Sequence, residues 1–397
     1  MRLVVMFDNF GPYHLARLSA TRTWGGKEGI AVYGLEAMGR SADYAWTTGD
    51  DSRREQICTI FPGNTYEKLS AQAAFSRVWH VLNWIRPDAL AIPGYRHVVS
   101  ITALLWSKAH GKISVMMSES SHTDKARSTF HEWGKRQIVR RFDAALVGGR
   151  RQKEYAAFLG IPEERIFVGY DVVDNAHFAR GAAQAREQEE FLRRQHGLPK
   201  NYFLAVSRFI AKKNLSFLMD AYARYRRQVG RSSWDLVLCG SGPLAAVLQE
   251  QARDVPGVHF PGFKQADELP LYYGLASAFI LPSSHFEQWG LVVNEAMACG
   301  LPVLVSRTCG CAPDLVQEGV NGFTFDPQDV DALARLLLRI SSGQTDLAAM
   351  GAASRKIISA YTPEIFAANL LAAIKHSLAA KGGKTINQRS ARCDFSA

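Results

Sequence analysis

Short runs of apolar side chains alternate along the chain with longer segments of helical apolar periodicity. The first half carries LVVMF (3–7), AVYGL (31–35), ICTIF (57–61), ALAI (89–92), ISVMM (113–117), AALVG (144–148) and RIFVGY (165–170). The second half carries FLAVS (203–207), LVLCG (236–240), VHF (258–260), AFILP (278–282), PVLVS (302–306) and FTF (323–325). Runs of this length without polar alternation suit strands buried on both faces, and the segments between them can hold helices. Strand and helix in alternation predict an α/β fold with two doubly wound parallel sheets. Ligands in such sheets bind beyond the carboxyl ends of the strands.

The two sets of runs are separated by a polar stretch rich in Arg, Glu and Gln, residues 179–200, which is expected to hold a helix and the interdomain link. A first domain is therefore expected over 1–178 and a second over 201–362. PEIFAANLLAAIKHSLAA supplies an amphipathic helix over 363–379, and 380–397 lacks periodicity and reads as a loose tail. No repeat of 20–50 residues is apparent.

The most informative segment is SSHFEQWGLVVNEAMACGLPVLVSR, residues 283–307. Gly300 and Pro302 stop a helix, and LPVLVS reads as a buried strand, so a helix is expected over Leu291–Cys299. The amides of Gly290, Leu291 and Val292 then point out of its N-terminus, where an anion such as a diphosphate is favoured. Glu287 lies in the preceding loop and Glu295 in the helix. Two carboxylates flanking a phosphate site suit sugar and ribose hydroxyls, because an ionised carboxylate only accepts hydrogen bonds. The plain alternative is a surface loop followed by a helix with solvated charges.

At these residues the chain resembles the retaining glycosyltransferases of family 4, whose signature is Glu, seven residues, Glu in a run like E-x-x-G-L-V-x-x-E-A-M-A-x-G-x-P-V. The resemblance implies a GT-B architecture: two Rossmann-like domains facing a cleft, with a nucleotide-sugar donor on the second and an acceptor on the first. It implies that Glu287 holds hydroxyls of the transferred sugar and Glu295 the ribose, and that helix 363–379 crosses back to the first domain. Arg208 and Lys213 in SRFIAKKNLSFL match the family's diphosphate-binding cations; two surface cations are the alternative. Gly240 and Gly242 in CGSGP would let a ligand approach the backbone. HFPGFKQADELPLYY resembles the family's base-pocket loop, with Phe263 beside the nucleobase, although Gly262 and Phe263 equally suit a plain turn.

In the first domain, His122 in MMSESSHTDK matches a family histidine that faces the sugar, with Glu119 a weaker candidate in the same loop. A structural or solvent-facing role is the alternative for a lone histidine. The loop FDNFGPYHLARL departs from the family, which often carries a glycine pair there. Gly11 and the helix start at Pro12 leave amides for an anion, and His14 becomes a contact for an acceptor hydroxyl or a helix cap.

Charge adds a candidate surface. The chain carries +10 net charge, and between Lys125 and Lys153 nine Lys/Arg meet two Asp/Glu, with Phe130 and Trp133 interleaved. This suits peripheral contact with anionic lipid headgroups, or it is a solvated basic helix; nucleic acid is not expected, since no nucleic-acid module is recognisable. The N-terminus reads as a strand rather than a signal peptide, and no run of 18 uncharged apolar residues suggests a membrane span. A cytoplasmic location, or the inner membrane face, is expected. The six cysteines form no C-x-x-C pair and read as reduced structural thiols. No cofactor or metal is expected, since adjacent Asp50 and Asp51 lack the D-x-D spacing of metal-using transferases.

The expected function is therefore retaining, metal-independent transfer of a sugar from a UDP-, GDP- or ADP-sugar to a hydroxyl of a glycan, lipid-linked or small-molecule acceptor, in polysaccharide or lipopolysaccharide assembly. A GT-B sugar-nucleotide epimerase and a non-catalytic nucleotide-sugar-binding protein are the alternatives.

Overall fold

A computed structural model describes residues 1–39, 54–63, 70–122, 129–285 and 287–382. Asp50, Asp51, Cys393 and part of the basic stretch and the tail lie outside them. The chain divides into two compact units, one of 1–122, 129–173 and 362–382 and one of 174–361 among the described residues.

The first unit is built on β1 (Arg2–Phe7), β2 (Ala31–Met38), β3 (Ile57–Phe61), β4 (Ala89–Pro93), β5 (Ile113–Ser118), β6 (Ala144–Val147) and β7 (Ile166–Val168). The second is built on β8 (Tyr202–Val206), β9 (Asp235–Cys239), β10 (Val258–Gly262), β11 (Ala278–Leu281), β12 (Val303–Ser306) and β13 (Gly322–Phe325). Every apolar run of the sequence is a strand, and all pairings are parallel. The sheet orders are β3-β2-β1-β4-β5-β6-β7 and β10-β9-β8-β11-β12-β13. Both are doubly wound, reversing direction between β1 and β4 and between β8 and β11. Strand side chains such as Leu3, Val4, Leu90, Ala91, Leu236, Val237, Phe279 and Ile280 have no exposed surface, which is why these strands read as continuous apolar runs.

Helices begin where short polar side chains satisfy exposed amides. Ser70, Asp329, Asp346 and Thr362 each accept a hydrogen bond from the amide three residues on. Residues 179–200 are occupied chiefly by the helices Asn175–Glu187 and Glu189–His196, both in the second unit. There Arg186 donates to Cys299 O at 2.7 Å and Arg193 to Leu275 O at 2.9 Å. Helix Pro363–Ala380 belongs to the first unit, where Asn369 donates to Val168 O at 2.7 Å and Lys375 to Glu28 at 2.8 Å.

One stretch, Leu347–Ala380, contains an 18-residue window that by length and composition is apolar enough to cross a membrane. Arg355, Lys356, Glu364 and Lys375 interrupt this stretch, so it holds no uncharged run of 18 residues. The stretch comprises the helices Leu347–Ile358 and Pro363–Ala380, and the second buries Phe366, Ala367, Leu370, Leu371 and Ile374. Length and composition admit a core helix as readily as a span.

Candidate active site

The winding of the second sheet decides which loops meet. β8 pairs with β11, Phe203 opposite Ala278 and Leu204 opposite Phe279, so the loops leaving their carboxyl ends are neighbours. The loop after β8 carries Arg208 and the 3-10 turn Ala211–Lys213, and the loop after β11 carries Ser283 and Glu287. Ser284 N donates to Lys212 O at 3.0 Å, tying the two loops together.

Lys213 Nζ donates to Glu287 Oε2 at 2.5 Å, and Ser283 Oγ donates to the same oxygen at 2.8 Å. Lys212 Nζ stands 4.0 Å from the other oxygen, Oε1. Burial pushes the Glu287 carboxyl up, but the charges of Lys213 and Lys212 and the hydrogen bonds from Lys213 and Ser283 outweigh it. The net result lies below the ordinary carboxylate range. Glu287 is therefore a carboxylate with one oxygen committed to the protein. Arg208 is part-buried in the same loop as Lys213.

The loop holding Glu287 is fastened from behind. Gly310 N donates to Glu287 O at 3.0 Å and Cys311 N to Trp289 O at 3.2 Å. Trp289 is buried and donates from Nε1 to Asn294 Oδ1 at 2.9 Å. Gly290 then turns the chain into helix Leu291–Ala298 with φ +107°, and a Cβ there would meet Leu281 Cδ2 at 2.7 Å. Val293 N bonds back to Gly290 O at 2.9 Å. No acceptor among the described residues meets the amides of Leu291 and Val292, which remain available to an anion.

The remaining donor-side candidates fall in different places. Glu295 has no exposed surface and accepts from Tyr273 OH at 2.7 Å, inside the core. Gly240 and Gly242 follow β9 and admit the protein's own backbone: a Cβ on Gly240 would lie 1.8 Å from Ser207 O, and one on Gly242 would lie 2.6 Å from Phe209 O. Their φ of +146° and +153° also favours glycine. Phe209 N donates to Ser241 O at 2.7 Å, so the glycine loop braces the segment that leads to Lys213. Phe263 follows β10 and is exposed.

In the first unit, Gly11 caps helix Pro12–Lys27, and Gly11 N donates to His14 Nδ1 at 3.3 Å. The His14 ring lies against Phe7 at 4.2 Å, and desolvation, with the charge of Arg17, lowers its pKa to about 3. Glu119 follows β5, part-buried, and its charge adds to the burial that pushes the Asp171 carboxyl well up, against the opposing charge of Arg17. His122 is exposed, with its ring edge-on to Tyr155 at 4.8 Å and to Phe158 at 4.9 Å. Among the described residues, no cluster of three or more His, Cys, Asp or Glu is arranged to hold a metal ion.

Residues 188–357, most of the second unit, match the family model described as glycosyl transferases group 1. The chain is related to the group 1 glycosyl transferases. It is 32% identical over 174 residues, 41% of its length and 45% of the relative's, to the GDP-mannose-dependent alpha-(1-6)-phosphatidylinositol monomannoside mannosyltransferase of Mycolicibacterium smegmatis. It is 32% identical over 184 residues, 44% of each chain, to the amylovoran biosynthesis glycosyltransferase AmsK of Erwinia amylovora. The chain thus spans about half the length of the curated relatives it matches. Among solved structures, a glycosyltransferase from Rickettsia africae superposes with TM-score 0.75 at 15% identity, covering 95% of this chain and 98% of that one. HepE of Anabaena, solved with UDP and glucose, gives TM-score 0.73 at 18% identity, covering 95% and 100%. These likenesses establish the GT-B fold.

Three residues with clear structural parts in these sites escaped the sequence reading. Ser283 and Thr308 frame Glu287: Thr308 Oγ1 donates to Ser283 O at 3.1 Å and to Ser284 O at 2.9 Å. Their signal is positional only, since each follows the end of a strand neighbouring the switch point. Arg17 is buried in the first helix, donating from Nε and Nη2 to Val172 O at 3.3 and 3.0 Å with its guanidinium 4.7 Å from the Tyr170 ring centroid. It sits between Leu15 and Leu18 on the apolar face, which was the available cue.

Proposed function

We propose that the protein is a retaining glycosyltransferase that moves a sugar from a nucleoside-diphosphate sugar to a hydroxyl acceptor. The observation that carries this reading is the juxtaposition, at the second sheet's switch point, of the Lys213–Glu287 pair with two helix amides, of Leu291 and Val292, that meet no acceptor among the described residues. Cations and amides suit a diphosphate, and Glu287 suits the hydroxyls of the sugar attached to it. As the bond to the sugar breaks, charge builds on the leaving diphosphate, and Arg208, Lys213 and the helix N-terminus stabilise it. Retention then follows from same-face substitution, with the departing diphosphate helping to deprotonate the acceptor. The GDP-mannose dependence of the Mycolicibacterium smegmatis relative agrees with this donor class.

The acceptor is a glycan or a lipid-linked sugar, received by the first unit around Gly11, His14 and Glu119. Support for a lipid-linked acceptor comes from the relative that acts on phosphatidylinositol monomannoside. It also comes from the exposed Trp133, Arg136, Arg140, Arg141 and Arg150 of the basic stretch, which suit an anionic membrane face. Vesicle flotation with and without phosphatidylglycerol tests that surface, and equal binding to neutral vesicles removes it.

The transfer itself is tested by incubating the protein with UDP-glucose, UDP-galactose, GDP-mannose and ADP-glucose and measuring nucleotide release with and without glycan acceptors. Acceptor-dependent release of a nucleoside diphosphate is expected from one of them. Acceptor-independent isomerisation of the sugar would make the protein an epimerase, and binding without turnover would make it a non-catalytic receptor.

A further inference from the structure

The two carboxylate oxygens of Glu287 are not equivalent. Oε2 accepts from Lys213 Nζ at 2.5 Å and from Ser283 Oγ at 2.8 Å. Among the described residues, no hydrogen-bond donor meets Oε1, and the Lys212 ammonium stands 4.0 Å from it, beyond hydrogen-bond range. Ser283 is fully buried, and its carbonyl is held by the Thr308 hydroxyl at 3.1 Å, so its side chain is presented from a fixed backbone. Two donors on one oxygen fix the plane and rotation of the carboxylate.

We propose that Ser283 is a positioning residue that, together with Lys213, commits Oε2 of Glu287 to the protein and leaves Oε1 to accept a hydroxyl of the transferred sugar. The inference rests on the glycosyltransferase reading and adds to it a specificity-determining residue. A donor diphosphate competes for Lys213, because the lysine ammonium is drawn to the larger negative charge. The neutral Ser283 hydroxyl has no such competitor. With donor bound, Ser283 is therefore the group that keeps Oε2 turned inward and Oε1 turned to the sugar.

The test compares wild type, Ser283→Ala and Ser283→Thr, which keeps a hydroxyl. Binding of the preferred nucleotide sugar from the panel UDP-glucose, UDP-galactose, GDP-mannose and ADP-glucose is measured by calorimetry beside that of its bare nucleoside diphosphate. Turnover is followed across pH. In Ser283→Ala, kcat/KM is expected to fall about tenfold, the loss of one hydrogen bond to a charged group. The bare nucleoside diphosphate is expected to bind as in wild type, while the advantage of the nucleotide sugar over it shrinks. Glu287 loses a donor to its charged form, so the acid limb of the kcat/KM profile moves to higher pH. Ser283→Thr is expected to restore the limb.

An unchanged acid limb and unchanged sugar preference in Ser283→Ala would overturn the inference. So would equal loss of nucleoside diphosphate and nucleotide sugar, which marks a merely structural serine. If wild type binds none of the four nucleotide sugars, the glycosyltransferase reading itself fails and this inference falls with it.

Discussion

Lys213 Nζ lies 2.5 Å from Glu287 Oε2, although the two residues are 74 positions apart in the chain. The distance is bridged by topology, since β8 and β11 are sheet neighbours and each residue follows the carboxyl end of its strand. The pair is buried enough that neither partner is well served by losing the other. Lys213→Met and Glu287→Gln are each expected to lower kcat/KM by about 10²-fold. The double variant is expected to lose less than the product of the two, because one interaction is removed twice. Steady-state rates of the three variants check this, and strictly multiplicative losses would separate the two residues functionally.

Glycines 240 and 242 have changed meaning between sequence and structure. A Cβ at Gly240 would stand 1.8 Å from Ser207 O and one at Gly242 2.6 Å from Phe209 O, both backbone atoms that cannot turn aside. Gly240→Ala and Gly242→Ala are expected to destabilise the second unit by about 2–4 kcal/mol and to lower turnover by displacing the Arg208–Lys213 loop. Gly197→Asn is the control: its φ is +62° at a helix end, and a Cβ there meets nothing within 4 Å. That variant is expected to cost under about 1 kcal/mol. Thermal unfolding followed by circular dichroism distinguishes the two cases.

The fold was legible because fully buried parallel strands leave an unbroken apolar signature, from LVVMF at 3–7 to FTF at 323–325. Helix Leu291–Ala298 was legible from Gly300 and Pro302, and it ends one residue before the expected Cys299. Less legible was what the side chains of that helix face. Residues Val293 to Ala298 are all buried, so Glu295 has no solvent side and finds Tyr273 instead. Ser283 and Arg17 were missed for a related reason: each acquires its partner through contacts across the fold, to Glu287 and to Val172, that no local periodicity encodes.

Arg17 donates two hydrogen bonds to Val172 O across 155 positions and lies 4.7 Å from the Tyr170 ring centroid, with almost no exposure. It ties the first helix to the segment after β7. Arg17→Met keeps much of the apolar contact but strands the carbonyl, and is expected to cost about 1–3 kcal/mol. Arg17→Ala removes the packing as well and is expected to cost more. Chemical denaturation of both variants checks the order, and equal losses would assign the whole effect to the guanidinium.

Asp143 anchors the other end of the same sheet. Its carboxylate accepts from Lys108 at 2.8 Å, Ser114 N at 2.8 Å and Ser114 Oγ at 3.0 Å, with Lys381 at 3.0 Å. Burial pushes its pKa up, but Lys108, Ser114 and Lys381 outweigh that and hold it below the ordinary aspartate value. A depressed carboxylate stabilises the fold fully above the unfolded pKa and loses that contribution as pH falls through the folded one. Asp143→Asn is therefore expected to be less stable than wild type at neutral pH, with the gap closing as pH drops below the ordinary range for an aspartate. Denaturation midpoints at pH 7, 5 and 3 measure the gap, and a constant difference would assign Asp143 a purely steric part.

His14 should also cost stability on acidification, beginning at a higher pH. Its ring is packed against Phe7 at 4.2 Å, and desolvation together with the charge of Arg17 lowers its pKa from 6.5 to about 3. Its Nδ1 accepts from Gly11 N, so the neutral form carries its proton on Nε2. Between these two pKa values the unfolded chain binds a proton that the folded chain does not, so stability falls as pH drops from about 6.5 toward 3. His14→Gln lacks the titration and is expected to show a flatter stability profile across that range. The variant keeps a side-chain oxygen that can accept from Gly11 N, so its helix start should survive at neutral pH. Proton resonances of the His14 ring are expected to stay fixed from pH 8 down to about 4 in the folded protein. A midpoint near 6.5 would place the ring in solvent and leave His14 open to act as an acid or base, contrary to the neutral hydrogen-bonding part its packing gives it.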